Sequence, residues 1–326
     1  MMKKYRNESI DFLRLFCSFG VIALHLYCDT PASEMINAFF WPICVPFFYV
    51  TSLVYFISNL KLMSVGEVLL KNFKRLLVPY FAWTLIYVML FQIQGLLTGK
   101  LRPLSLWRVV LYGESSVQLY FLPTLFILQI LTISVYLLFV LKKRILLASF
   151  LLSVAVIYIY IGDYFNCFGV AHTGQIFGFV VYITFSLFVS MRSSMITNRS
   201  SLTIGSFLVI SSICLNMIGK NIQFLDYSMI LPLAGVGLFL VGFGMQDVRF
   251  NKHILSLSSL SFGIYLVHIV FLEGMQFLLQ NVMSTDIYYN FINKLLLSSV
   301  LLVFSVGSIM LIQKFDFAKK YLLGEY

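Results

Sequence analysis

Two ionisable residues, Arg14 and His25, stand with ten residues between them in the apolar stretch from Arg6 to Asp29, RNESIDFLRLFCSFGVIALHLYCD. Read as a helix, eleven steps rise about 16.5 Å and turn about 1,100°, three full turns and roughly 20° more, so both side chains leave one face. Asp11, Ser18 and Asp29 fall on or beside that stripe, whereas Phe12, Leu13, Phe16, Phe19 and Ile22 point mostly elsewhere. These residue types suit work on a hydroxyl and on an anion. Histidine, with an unperturbed pKa of about 6.5, is the side chain best matched to taking a proton near neutral pH. Arginine presents a planar fork that grips phosphate through two hydrogen bonds. Each residue also has a plain structural reading. His25 can be a histidine hydrogen-bonded inside a bundle, and Arg14 can snorkel to headgroups or pair with Asp11 three residues earlier. Asp29, one turn beyond His25, either orients the imidazole or is a solvated residue at the helix end.

A second set lies far along the chain. The run Ser256 to Glu273 reads as one helix, and within it Ser261, Tyr265 and His268 recur at i, i+4, i+7 and share a face. Counted from the helix starts, His25 lies about fifteen residues in and His268 about fourteen, so both reach one depth and can line one cavity. Packing and hydrogen bonding between helices is the alternative for Tyr265 and His268. Segment 64–76, SVGEVLLKNFKRL, places Leu69, Leu70, Phe73, Leu76 and Leu77 on one side and Lys71, Lys74 and Arg75 on the other. It is expected to lie in the membrane interface, either anchoring to anionic lipid or forming an anion site suited to phosphates. The loop 98–118, with Arg102, Trp107, Arg108 and Glu114, either covers an outer opening that contacts a sugar polymer or supplies interface anchors.

The elements that must position these groups follow from composition. Of 326 residues, 60% are hydrophobic and only 11% charged, and mean hydropathy is +0.93. Soluble domains carry about 25% charged residues, so the chain is an integral membrane protein. Ionisable groups at membrane depth cost about 2.5–3.5 kcal/mol each, so the Arg14–His25 stripe must face a bundle interior or a wet cavity. Apolar runs of spanning length fall at 10–29, 40–59, 77–97, 119–141, 145–162, 174–191, 203–219, 228–246, 254–273 and 291–313. The fold class expected is all-α: one polytopic bundle of about ten transmembrane helices over residues 1–326, without repeats.

Loop charge sets the orientation. Lys and Arg divide 17 against 4 between the two sides, the rich side holding Lys3, Lys61, Lys71, Lys142, Arg192, Arg249 and Lys319 among others, the poor side Lys100, Arg102, Arg108 and Lys220. By the positive-inside rule both termini are cytoplasmic. The net charge of +10 is thereby accounted for without a nucleic-acid partner. The basic start MMKKYRNESID precedes an apolar run that contains Arg14 and His25 and lacks a small-residue cleavage site, so it is read as a retained helix. Cys17, Cys28, Cys44, Cys167 and Cys214 are scattered, with no metal-ligand spacing.

The order of these segments resembles the acyltransferase-3 family, integral membrane proteins that O-acylate extracytoplasmic glycans. The likeness covers most of the chain: IDFLR followed by the R-x10-H spacing of Arg14 and His25, VPFFYVTS at 45–52, KNFKRLLVPY at 71–80, LYFLPTLF at 119–126 and LSLSSLSFGIYLVH at 255–268. Tyr120 stands where tryptophan is frequent, and Leu53 where glycine usually follows the serine. Neither departure removes a titratable group, so they bear on substrate shape more than on chemistry.

The resemblance implies a cytoplasmic acyl-CoA donor, with no bound cofactor or metal, and an acceptor hydroxyl on the far side of the membrane. It makes His25 the base, with Arg14 and Asp29 in the catalytic set, and gives Lys71, Lys74 and Arg75 the nucleotide end of CoA. Tyr120, Ser261, Tyr265 and His268 are expected to bind substrate, the last two by stabilising an oxyanion or holding the acceptor. Acetyl is the default acyl group, with succinyl open. With no extracytoplasmic esterase-like domain attached, the chain is similar to the stand-alone kind acting in the bacterial inner membrane on O-antigen, capsule or exopolysaccharide, or on a lipid-linked precursor. Two other classes fit the same residues: a transporter of a small polar solute or acyl donor, for which Pro232 and Gly235-Val236-Gly237 are the candidate mid-membrane break, and a structural subunit of a glycan-assembly complex.

Overall fold

Asn7 opens the first helix, its side-chain oxygen taking the N–H groups of Ser9 and Ile10 at 3.0 and 3.1 Å, as an N-cap should. The helix it starts, α1, runs Glu8–His25. The computed structural model describes residues 7–99, 105–137, 173–192, 196–218, 227–285 and 287–326. Among them every regular element is helical. After α1 come α2 (Pro31–Phe40), α3 (Cys44–Leu60), α4 (Val65–Asn72), a π turn (Phe73–Leu77), α5 (Val78–Thr98), α6 (Leu106–Tyr112) and α7 (Phe121–Val135). Then follow α8 (Thr173–Arg192), α9 (Asn198–Ile218), α10 (Tyr227–Gly244), α11 (Lys252–Ser259), α12 (Ser261–Phe277), a second π turn (Leu278–Val282), α13 (Phe291–Ile312) and α14 (Asp316–Leu323).

Five described helical stretches are long and apolar enough to cross a membrane: Pro31–Leu60, Val65–Thr98, Asn198–Ile218, Ser261–Asn281 and Phe291–Ile312. Phe121–Val135, Gly178–Arg192 and Leu231–Gly244 are shorter apolar helices. The expected first span, α1, carries Glu8, Asp11 and Arg14 in its first half, which sets it apart from the five. The span expected over 145–162 lies outside the described residues, as does Cys167.

The chain divides into two compact units. One takes the residues up to Leu24, Glu34–Met63 and Leu128–Ser258. In it α10 is the hub, packed against α3, α8 and α9. The start of α1 is tied to the end of α10 by Asn7 Nδ2 donating to the Gly242 carbonyl at 3.2 Å and Ser9 Oγ donating to that of Met245 at 2.6 Å. The helix α10 runs unbroken through Pro232, so the expected mid-membrane break does not occur there. Its glycines serve close approach instead. A Cβ on Gly235 would stand 2.5 Å from the main-chain carbon of Pro46 in α3 and 2.7 Å from its oxygen. Gly235→Ala is therefore expected to cost about 1–3 kcal/mol through overpacking and to lower the melting temperature in detergent. Gly274→Ala, with no neighbour of the added carbon within 4 Å, is the control, and equal melting temperatures for the two variants would refute the close-packing argument.

The other unit takes His25–Ser33, Ser64–Ile127 and Ser259–Tyr326. Ser64 begins it with a capping box, its hydroxyl accepting from the Glu67 N–H and its own N–H donating to Glu67 Oε2 at 2.9 Å. Here α12 packs on α13, and α14 packs on α5. Three tyrosine hydroxyls lock the elements together. Tyr80 of α5 donates to the carbonyls of Val109 and Val110 (3.0 and 2.8 Å), Tyr87 of α5 to Leu266 (2.7 Å), and Tyr265 of α12 to Gln118. Trp83 adds an indole N–H to the Leu322 carbonyl at 2.9 Å.

The expected single helix over Ser256 to Glu273 is two helices, α11 and α12, that meet at Leu260. The stretch is rich in serine, and Ser258 Oγ donates to the Leu255 carbonyl at 2.8 Å. Such hydroxyls compete with main-chain N–H groups for carbonyls, which favours a helix end.

Candidate functional site

His25 is the last residue of α1 and His268 stands midway along α12. Their rings lie 5.3 Å apart between centroids, tilted by 38°. Helix counting alone placed the two at one depth, and the structure brings them into contact. His268 is 1% exposed, while His25 is only part-buried. His268 Nδ1 lies 3.1 Å from the Ile264 carbonyl, which only accepts, so that nitrogen carries the proton of the neutral ring. Nε2 then holds the lone pair, and it is buried without a hydrogen-bond partner. This tautomer suits holding a ligand hydroxyl. Stabilising an oxyanion would need a donor at the same atom, so that half of the expectation for His268 is not what the ring offers.

Tyr265 lies one turn earlier, its ring 6.2 Å from that of His268 and 5.3 Å from Phe121. Its hydroxyl donates to the main chain at Gln118, a residue that the sequence reading passed over. Gln118 is 2% exposed. Its Oε1 takes the Ser116 hydroxyl at 2.6 Å, which fixes the amide and turns the buried Nε2 toward the Tyr87 hydroxyl. Thr84 Oγ1 on α5 lies beside the Tyr80 hydroxyl, and Ser115 Oγ is buried and unpartnered. Buried polar atoms are nearly always hydrogen-bonded, so the bare Nε2 of His268 is the atom of this group that calls for a ligand partner. Ser261 is buried at the first turn of α12. Tyr120 is turned outward at 42% exposure between buried Leu119 and Phe121, and no described contact joins it to the histidines.

The chain leaving His25 is held from both sides. Asp29 N–H donates to the Tyr289 carbonyl at 3.2 Å, and Asp29 Oδ2 accepts the Tyr289 N–H at 2.7 Å. Because α1 stops at His25, Asp29 does not stand one helical turn outward on the same face. Its carboxylate clamps two loops, which replaces the expected role of orienting the imidazole. Burial raises the Tyr289 phenol above the ordinary tyrosine range. Lys294 of α13, fully buried, donates to the Leu26 and Tyr27 carbonyls at 3.0 and 3.4 Å and to Cys28 Sγ at 2.9 Å. A lysine inside the apolar run FINKLLLSSVLL is the signal that could have marked it.

Arg14 belongs to the same helix as His25 but to the first unit, where its guanidinium lies 3.6 Å from the buried Asp11 carboxylate. That is the local i−3 pair anticipated from sequence.

Lys71, Lys74 and Arg75 are exposed and line a cavity of about 570 Å³. Glu67 and Glu325 supply two carboxylates to its wall, and Leu260, Gly263 and Tyr326 close other sides. Lys74 Nζ sits 5.6 Å from the centre of the Tyr326 ring. Gly324, at φ +64°, lays the last residues directly on the basic helix, where a Cβ would stand 2.5 Å from the Arg75 carbonyl oxygen. From Gly263 in the cavity wall to His268 is five residues of α12, about 7.5 Å along its axis. The cavity and the histidine pair are thus two levels of one helix. Among the described residues no cluster of His, Cys, Asp and Glu could hold a metal ion.

A family model described as an acyltransferase domain matches residues 7–314, nearly the whole chain. No curated protein and no solved structure matches it.

Proposed function

The chain belongs to the acyltransferase-3 family, and from that premise we propose that it moves an acyl group, acetyl by default, from cytoplasmic acyl-CoA to a hydroxyl of an extracytoplasmic glycan such as O-antigen, capsule or exopolysaccharide. The observation that carries the reading is the contact between His25 and His268, with Nε2 of His268 buried and unpartnered. A sugar hydroxyl is a weak nucleophile at neutral pH and needs a positioned base. His268 Nε2 accepts a hydrogen bond from one acceptor hydroxyl and so orients the sugar. His25 takes the proton from the reacting hydroxyl as its oxygen attacks the thioester carbonyl carbon. The C–O bond forms, the tetrahedral oxyanion collapses with loss of the C–S bond, and the CoA thiolate leaves with the proton that His25 returns. The Gln118 amide, a buried donor beside the Tyr87 hydroxyl, is the group offered to the oxyanion.

The 570 Å³ cavity fits the donor's charged end, with Lys71, Lys74 and Arg75 on its phosphates. The carrying helix, α12, then leads from nucleotide to base. Both termini lie in the cytoplasm on this reading and the protein resides in the inner membrane, where the acyl group crosses from one face to the other within the bundle.

The test is product analysis. Surface polysaccharide from the native strain, with the gene present or deleted, is examined by mass spectrometry for an alkali-labile acyl group. Loss of that mass on deletion and its return on complementation are expected, and the mass names the acyl group. Identical glycans in the two strains, alongside acyl-CoA that is never consumed by membranes containing the protein, would refute the reading.

A further inference from the structure

The mechanism leaves Lys294 unused. It lies in the first turn of α13, which Asn290 caps by accepting the Asn293 N–H at 2.8 Å, and it is 0% exposed. Burying an ammonium in a membrane helix is costly unless its donors are filled and its charge answered. Both conditions are met at one place. The Leu26 carbonyl at 3.0 Å, the Tyr27 carbonyl at 3.4 Å and Cys28 Sγ at 2.9 Å are acceptors from the three residues that directly follow His25. An ammonium has three N–H groups and no lone pair, so acceptors of this kind suit it. The place is also the C-terminal end of α1, where carbonyls lack helical partners and carry partial negative charge, so a cation is favoured there.

We propose that Lys294 is a positioning residue for the transfer reaction: it clamps the main chain leaving α1 and thereby holds the His25 imidazole against His268. The inference rests on the reading of His25 as the base. The loop hydrogen bonds between Asp29 and Tyr289 secure the same chain three residues further on, but they leave Leu26 and Tyr27 to Lys294. Without the ammonium those carbonyls must find other donors, and the last turn of α1 is free to fray. A base misplaced by about 1 Å can lose on the order of 100-fold in rate.

The experiment uses the full chain in lipid nanodiscs and compares wild type, Lys294→Met and Lys294→Gln. Acetyl-CoA binding, kcat, KM and melting temperature are measured on each. The Met variant is expected to bind acetyl-CoA as wild type does, with KM unchanged and kcat about 100-fold lower. Gln, which keeps two donors, should fall between. A kcat for Lys294→Met within threefold of wild type would overturn the proposal. So would loss of acetyl-CoA binding in both variants, since Lys294 would then be holding the fold and not the histidine. A wild type that transfers nothing from acetyl-CoA sinks the function reading and this inference together, whereas an active wild type matched by Lys294→Met sinks this inference alone.

Discussion

His25→Ala is expected to lower acyl transfer by about 10²–10⁴-fold, the range a general base contributes, with acyl-CoA binding retained. The expectation follows from geometry. Of the two rings in contact, only that of His25 is left without an assigned role for either nitrogen, since His268 commits Nδ1 to the Ile264 carbonyl. The measurement is release of free CoA from acetyl-CoA, with acceptor glycan present, by wild type and variant at equal amounts of folded protein. Equal rates would show that the hydroxyl is deprotonated elsewhere, and the histidine contact would then be packing.

The second large effect belongs to the donor end. Replacing Lys71, Lys74 and Arg75 together by glutamine should raise KM for acetyl-CoA about 100-fold and leave kcat nearly unchanged. Each phosphate contact at an exposed cation is worth roughly 1 kcal/mol, and three such losses make about two powers of ten. The cavity these residues line also holds Glu67 and Glu325, so the substitution turns its charge from net positive to net negative. S-acetylpantetheine, which lacks the nucleotide, supplies the control, as its KM should not move. If instead the triple variant keeps its KM but loses stability in bilayers rich in anionic lipid, the three cations anchor the helix to headgroups and the nucleotide binds elsewhere.

Some of the candidate residues stand out in the sequence itself. Arg14 and His25 declared themselves as ionisable residues in an apolar run, and adding up helical rise put His25 and His268 level. The count itself ran across the break at Leu260: α12 starts at Ser261, which makes His268 the eighth residue of its helix and His25 the eighteenth of α1, so the ring contact comes from packing that helix counting does not supply. What sequence hid were contacts between distant segments. Lys294 reaches residues more than 260 positions earlier, and the hydroxyls of Tyr80, Tyr87 and Tyr265 end on main-chain carbonyls, which every residue carries and no motif marks. Asp29 was misplaced because the helix was continued past His25, whereas the bonds to Tyr289 draw the chain away. Tyr120 was chosen from a family position, and nothing in its own residue type says which way a side chain beside two buried neighbours will turn.

The π turn at Phe73–Leu77 takes up one extra residue in the wall of the basic cavity without changing the phase of the helix on either side. There Val78 N–H donates to the Phe73 carbonyl, five residues back, where an α-helix would reach four. A turn of this kind is an α-helix that has gained one residue, and each residue of an α-helix corresponds to about 100° of rotation. Deleting any one residue from Phe73 to Leu77 would let Val65–Thr98 run as a regular helix, at no cost in hydrogen bonds. Because the wide turn already absorbs its extra residue, the same deletion would leave Glu67 and Lys71 facing nearly as before relative to α5, on the wall they share with α12 and α14. A single in-frame codon loss within the turn is therefore expected to be absorbed there, disturbing the cavity wall only locally, at Lys74 and Arg75.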